Sequence, residues 1–261
     1  MLEGKVIAVF AATGAIGCET ARALGRRGAT VYVSGRRKDV LESLALEVRQ
    51  GGGKAHAAVV DAMDEAQVAG HLGEVARREG RLDGVFNAIG LRPLENEYGT
   101  SSEKLSFPAF LAPFQHHVGS QFLTARAAIR HMKPGSTIVM LTASLAMDPR
   151  PFMAGITAAC AAIEGLTRML AAELGPRGIS VICLRAGGMH ETRTIQETVQ
   201  GMTRTLGVDP AAFDGEVQRS SLLKRPVTLI ETAEVAAFLL SDPARCMTGD
   251  TVNASCGLAV A

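Results

Sequence analysis

Charge of neither sign is in excess in this chain. Lys plus Arg number 27 and Asp plus Glu 26, a formal net charge of +1. Nucleic acid and anionic membranes are held by a basic field, and so even a balance points to neither partner. No run of about 18 apolar residues occurs, so no transmembrane helix is expected. The start, Met1-Leu2-Glu3-Gly4-Lys5, leads straight into an apolar run. It lacks the charged-then-apolar layout of a signal peptide. The five cysteines (Cys18, Cys160, Cys183, Cys246, Cys256) are odd in number, scattered and without metal-ligand spacing. Reduced thiols in a cytoplasmic protein, with no metal, are the expectation.

What is present is an alternation. Hydrophobic residues make up 47 % of 261 residues, enough for a core buried on both faces of a sheet. Lys5–Phe10, Thr30–Ser34, Ala55–Val60 and Val85–Ile89 read as strands. Between them Ile16–Arg27, Asp39–Gln50 and Glu65–Arg78 read as helices. Ser136–Thr142 and Ile179–Leu184 repeat the pattern later. Such alternation predicts an α/β fold, a Rossmann-like doubly wound parallel sheet with helices on both faces. No composition shift or long linker divides it, so 1–261 is expected to be one domain. Two stretches break the rhythm, Leu91–Pro113 and Gly187–Arg225. Both follow carboxyl ends of strands, the edge where open α/β sheets bind ligands, and are expected to face substrate.

The first strand is followed by Ala11-Ala12-Thr13-Gly14-Ala15-Ile16-Gly17, which opens a helix. A dinucleotide loop needs glycine for a tight turn, for close approach to the pyrophosphate and for helix–strand packing. Backbone N–H groups at the helix start then face the phosphates. Thr13, Gly14, Ile16 and Gly17 are candidates for this role, with Ala11 where a first glycine would stand; a structural strand–helix turn explains the pattern as well. The second strand ends Ser34-Gly35-Arg36-Arg37. An acidic residue there suits the ribose hydroxyl of NAD, whereas arginine suits the 2′-phosphate of NADP. NADP is therefore the expected cofactor and NAD the alternative, unless both arginines are simply solvated at a helix start.

Ala158-Ala159-Cys160-Ala161-Ala162-Ile163-Glu164-Gly165-Leu166-Thr167-Arg168 resembles the active-site helix of the short-chain dehydrogenase/reductase family. Its continuation to Ile179, the segment Ala233–Asp242 and the ending Met247–Asn253 are similar to that family too. The resemblance covers essentially the whole chain. It implies an NAD(P)-dependent oxidoreductase. Asp61 then matches an acid near the adenine, and Asn87-Ala88-Ile89-Gly90 matches a cofactor-side segment; a strand-end cap and a buried hydrogen bond are the plainer readings of Asp61 and Asn87. The family's loop is Thr-Gly-x-x-x-Gly-x-Gly, of which Gly17 survives while Ala15 takes the middle position.

The catalytic positions depart from the family. Its tyrosine and lysine fall on Ile156 and Cys160, its serine on Ala143 beside Ser144, and its asparagine on His117. Ile156 cannot move a proton and Cys160 cannot supply a fixed positive charge. The candidates left are His117, because histidine titrates near neutrality, Ser144, and Cys160 as a thiol nucleophile or acid. His116 and His190 are weaker ones. Cys160 reads first as a small core residue, and Ser144 also as a partner of its local backbone. Only two tyrosines exist, Tyr32 inside a strand and Tyr98, so only Tyr98 is able to substitute. Met147, Phe152, Met153 and Met189 suit a hydrophobic small-molecule substrate or plain core packing. The resemblance also implies a homodimer or homotetramer through helices near 109–132 and 155–174. Three functions remain open: a divergent NADP(H)-dependent oxidoreductase acting on a carbonyl or alcohol, a non-redox isomerase, dehydratase or cyclase, and a catalytically silent dinucleotide-binding protein.

Overall fold

Short apolar runs form strands where both faces are covered. β1 (Val6–Phe10) reads Val-Ile-Ala-Val-Phe, and every residue in it is buried. A computed structural model describes residues 2–260 apart from 208, 210, 211, 213, 214 and 216–218. β2 (Thr30–Gly35), β3 (Lys54–Val59), β4 (Gly84–Asn87), β5 (Thr137–Ala143), β6 (Ser180–Ala186) and β7 (Thr251–Ala254) complete a sheet of order β3-β2-β1-β4-β5-β6-β7. Every pairing is parallel. β5 and β6 are continuous buried runs, as a sheet covered on both faces requires. Only Ala55 of β3 is buried, because that strand is an edge.

The helices pack on both faces. α1 (Ala15–Arg26), α2 (Lys38–Gln50) and α8 (Leu229–Leu239) share one core with the sheet. α3 (Glu65–Glu79), α5 (Gly119–Ile129) and α6 (Ala154–Leu174) share the other. Local chemistry sets their ends. The Asp64 carboxylate caps α3 by accepting from the N–H groups of Ala66 and Gln67, and Gly80 closes it at φ 69°. Thr228 and Glu231 form a reciprocal capping box on α8.

α6, continued to Arg177, is long and apolar enough to cross a membrane, with mean hydropathy 1.2. In this fold it packs along β5 and β6. A buried ion pair pins it there: both nitrogens of the Arg185 fork donate to Glu164, at 2.8 and 2.9 Å.

Leu91–Pro113 is not all loop. It holds a short 3-10 turn at Pro93–Asn96 and α4 (Phe107–Pro113). Ser106 caps α4 and Pro108 lies in its first turn, where proline begins a helix instead of breaking it. Pro113 then deprives the chain of a donor, and Phe114–Val118 widens into a π turn before α5. His116 and His117 lie on that turn. Of the stretch 187–225, several positions lie outside the described residues; its described part is dominated by α7 (Arg193–Leu206).

Candidate active site

The strand order reverses between β1 and β4, and a crevice opens there at the carboxyl ends. Its floor is the loop from β1 into α1. The Gly14 N–H donates to the Ala11 carbonyl at 2.9 Å, folding the loop tightly. α1 then crosses so close that a Cβ on Gly17 would lie 2.6 Å from the Ala11 carbonyl oxygen. Ala11 itself sits at φ 53°, a left-handed conformation that favours glycine. The loop keeps its shape although alanine occupies the strained position. The Arg37 guanidinium braces it by donating to the Thr13 carbonyl.

The cleft above this loop has a volume of about 830 Å³. Thr13, Gly14, Ile16, Arg36, Arg37 and Asp61 line it, with Gly90 on the opposite wall. Arg36 and Arg37 form no ion pair among the described residues. Asp61 accepts from the Met63 N–H at 3.0 Å, a local turn, while still facing the cleft. These residues fit a phosphorylated dinucleotide: a helix start approached without a Cβ, beside two cationic forks.

A second cavity of about 380 Å³ continues from the cleft. Ile16, Gly90, Leu91, His117, Thr192 and Thr194 line both, so the two spaces meet there. The second cavity is mainly apolar, walled by Leu91, Leu141, Leu145, Met153, Met189 and Met202. Ser144, Thr142 and Tyr98 contribute hydroxyl-bearing side chains. α7 roofs it with Ile195, Thr198 and Met202, a helical spacing that turns one face inward.

A family model described as Enoyl-(Acyl carrier protein) reductase matches residues 10–259. The chain belongs to the short-chain dehydrogenase/reductase family. Among its relatives is 1-cyclohexenylcarbonyl-CoA reductase of Streptomyces collinus, 31% identical, with 98% of this chain and 87% of that one covered. An NAD+-bound xylitol dehydrogenase superposes with a TM-score of 0.89 at 26% identity, covering 98% of this chain and 99% of that one. A short-chain dehydrogenase from Burkholderia cenocepacia J2315 in complex with NADP gives 0.83 at 25% identity, covering 98% of each. The family uses NAD(P), and its NAD+-bound and NADP-bound members share this fold.

Against that family, the predicted residues separate into those at the crevice and those behind it. His117 is 3 % exposed, stands at the junction of the two cavities, and neither ring nitrogen makes a hydrogen bond of good geometry among the described residues. The nearby Ile89 backbone slightly favours a charged ring, but burial dominates and pushes the ring down to about 4. It is therefore neutral at pH 7, not the near-neutral titrating group its residue type predicts. His116 is exposed on the cleft side, and His190 lines the apolar cavity. Ser144 lines the apolar cavity. Met153 and Met189 line it too, whereas Met147 and Phe152 do not.

Cys160 corrects the sequence expectation of a thiol acid or nucleophile. It is fully buried, lines neither cavity, and burial raises its thiol. With Ile156 it packs among Leu91, Tyr98 and Met153. Asn87 lies behind the crevice wall as well. Its amide donates to Thr124 at 3.1 Å and its carbonyl oxygen accepts from the Ile89 N–H at 2.9 Å, so it shapes the strand end that carries Gly90. Gly17 acts by packing under the loop and not on the cleft wall. Thr142, Thr194 and Thr198 were not legible in advance, because only the packing of α6 and α7 over the sheet brings them to one space.

Ala11→Gly relieves the left-handed alanine. It is expected to stabilise the protein by about 1 kcal/mol and raise Tm by about 2–4 °C in thermal unfolding; a loss of stability contradicts the strain. The neutral, buried His117 also makes folding pH-dependent. Its folded value, about 4, is below the ordinary 6.5, so from pH 6.5 down to 4 the unfolded chain binds a proton that the folded one refuses. The stability contributed is complete above pH 6.5 and is lost as pH falls toward 4. His71, pushed down to about 4 by burial, behaves alike. Each ring adds up to about 1.4 kcal/mol per pH unit to the slope. Denaturant unfolding of His117→Asn should show a slope smaller by about one such share, and an unchanged slope removes the assignment.

Proposed function

We propose that the chain is a divergent NADP(H)-dependent short-chain oxidoreductase acting on a hydrophobic carbonyl or alcohol, with a non-standard catalytic site. The observation that carries this reading is a family crevice whose cofactor rim bears Arg36 and Arg37 with no carboxylate partner among the described residues. Thr13, Gly14, Ile16, Arg36, Arg37, Asp61 and Gly90 hold the dinucleotide, the first three through the helix start. When bound, NADPH supplies a hydride to the substrate. Gly17 and Asn87 keep that frame in shape from behind. His117 and Ser144 face the reacting region, His117 as a neutral hydrogen-bonding ring. Cys160 and Ile156 replace the family's lysine and tyrosine with core residues, and Cys160 has no chemical role.

The substrate is a small apolar molecule, since the cavity walls are leucine and methionine and the charged pair at its rim, Asp148 and Arg150, bond to each other at 2.8 Å. The name of the 31% identical relative, a reductase of a cyclohexenylcarbonyl thioester, supports a carbonyl-bearing apolar ligand. The whole chain works as one domain in a cytoplasmic homodimer or homotetramer. Support for assembly comes from Ala158, Ala161, Ala162 and Gly165 of α6, a small-residue face left open or half-open. The missing tyrosine and lysine favour one second reading, a silent dinucleotide-binding protein.

Fluorescence titration with NADPH and with NADH tests the cofactor claim. One charge-assisted hydrogen bond to the 2′-phosphate is worth about 1.5–3 kcal/mol. NADPH is therefore expected to bind at least about tenfold more tightly, and Arg36→Ala/Arg37→Ala to erase the difference. Binding of neither nucleotide sinks the oxidoreductase reading.

A further inference from the structure

The tyrosine missing from position 156 leaves the apolar cavity short of a proton donor, and one phenol has reached that region from another segment. Tyr98, on the chain between the 3-10 turn and α4, lines the cavity and is 8 % exposed. It is buried in the same cluster as Ile156 and Cys160. Its neighbours hold it from several sides. The Tyr98 N–H donates to the Pro93 carbonyl at 3.2 Å, and the Gly99 N–H to the Phe152 carbonyl at 3.2 Å. The Glu97 carboxylate accepts from the Ser106 N–H and hydroxyl at the start of α4.

Two of the five left-handed non-glycine residues among those described flank it. Glu97 stands at φ 49° and Phe152 at φ 66°, both left-handed without being glycine. Such backbone is strained, and strain of this kind gathers where a site needs a fixed geometry. A plain core tyrosine requires neither.

We propose that Tyr98 is the catalytic hydrogen-bond and proton donor to the substrate carbonyl oxygen, replacing the tyrosine absent at 156. The proposal rests on the oxidoreductase reading and names the group that completes its site. In reduction, the substrate carbon receives a hydride with both bonding electrons from the reduced nicotinamide, which is thereby oxidised. The oxygen receives the Tyr98 proton, and the phenolate left behind recovers a proton from solvent through the open cleft.

The surroundings give this donor a direction. Burial raises the phenol well above its ordinary value; the Thr198 hydroxyl from α7 opposes the shift and Cys160 from α6 adds to it. The other ionisable groups nearby are engaged or neutral: Glu197 of α7 with Arg193, Asp148 with Arg150, and the neutral His117. His190 also lines the cavity. No lysine stands at 160 to favour a phenolate. The phenol therefore gives its proton to a strongly basic oxygen formed on hydride arrival, but rarely exists as the base that alcohol oxidation needs. Reduction is expected to be level from about pH 6 to 9, and oxidation to rise about tenfold per pH unit.

Two measurements test this on the full chain. Tyr98→Phe keeps the ring packing and removes the hydroxyl. Turnover of cyclohexenone or tetralone with NADPH should fall by about 10²–10⁴-fold while NADPH affinity is unchanged; full turnover in that variant overturns the proposal. Because the chain has two tyrosines, NMR of protein carrying isotope-labelled tyrosine Cζ reads Tyr98 directly. Adding tetralone to the protein with NADP+ should shift the Tyr98 signal and leave that of Tyr32 in place. Absence of a shift at saturating tetralone overturns the proposal even if Tyr98→Phe fails to fold. A Tyr98 shift without any hydride transfer keeps Tyr98 as the carbonyl-binding group and defeats the oxidoreductase reading instead.

Discussion

How closely α1 approaches the end of β1 governs everything that faces a ligand in this protein. Gly17 has no Cβ, so the helix rests on the backbone of Ala11 and Ala12. That contact forces the intervening loop into a turn so tight that Ala11 must adopt a left-handed conformation. The result is a helix start aimed into the crevice at the strand reversal, with Arg37 tied back across Thr13. Were the helix displaced outward by even one methyl group, Ile16 would leave the junction of the two cavities and the cleft would lose its floor.

Behind the crevice, apolar packing dominates. Ile156 and Cys160 sit in an apolar cluster whose members also wall the second cavity. The Thr142 hydroxyl donates to the Cys160 carbonyl at 3.0 Å, and Arg185 grips Glu164 one turn farther along the same helix. α6 is thus held rigidly against the sheet by groups that take no part in chemistry. Burial in apolar surroundings favours neutral forms throughout: it lowers His117, raises Cys160 and raises Tyr98.

The strands were readable because parallel strands buried on both faces leave continuous apolar runs, as at Val6–Phe10 and Val181–Leu184. α4 was hidden because its signals, Pro108 and Pro113 flanking phenylalanines, look like loop punctuation; the cap at Ser106 was the clue to a helix. Arg36 and Arg37 were legible from their place after β2. Cys160 was named as a thiol candidate from its place on the helix, and that place packs into an apolar cluster. His117 lines the crevice, and its burial depends on the π turn, which no local pattern encodes. Tyr98 was marked by the scarcity of tyrosine and by its place in Leu91–Pro113. The strain at Glu97 and Phe152 that distinguishes it is a property of the folded backbone.

The central claim is that a cofactor crevice survives here beside a rebuilt, apolar reaction space. Transfer of deuterium from C4 of labelled NADPH to cyclohexenone or tetralone, read by mass spectrometry of the product, tests it most directly. The account predicts product carrying one deuterium per NADPH oxidised. Tight NADPH binding with no deuterium in any product contradicts it and leaves a silent dinucleotide-binding protein.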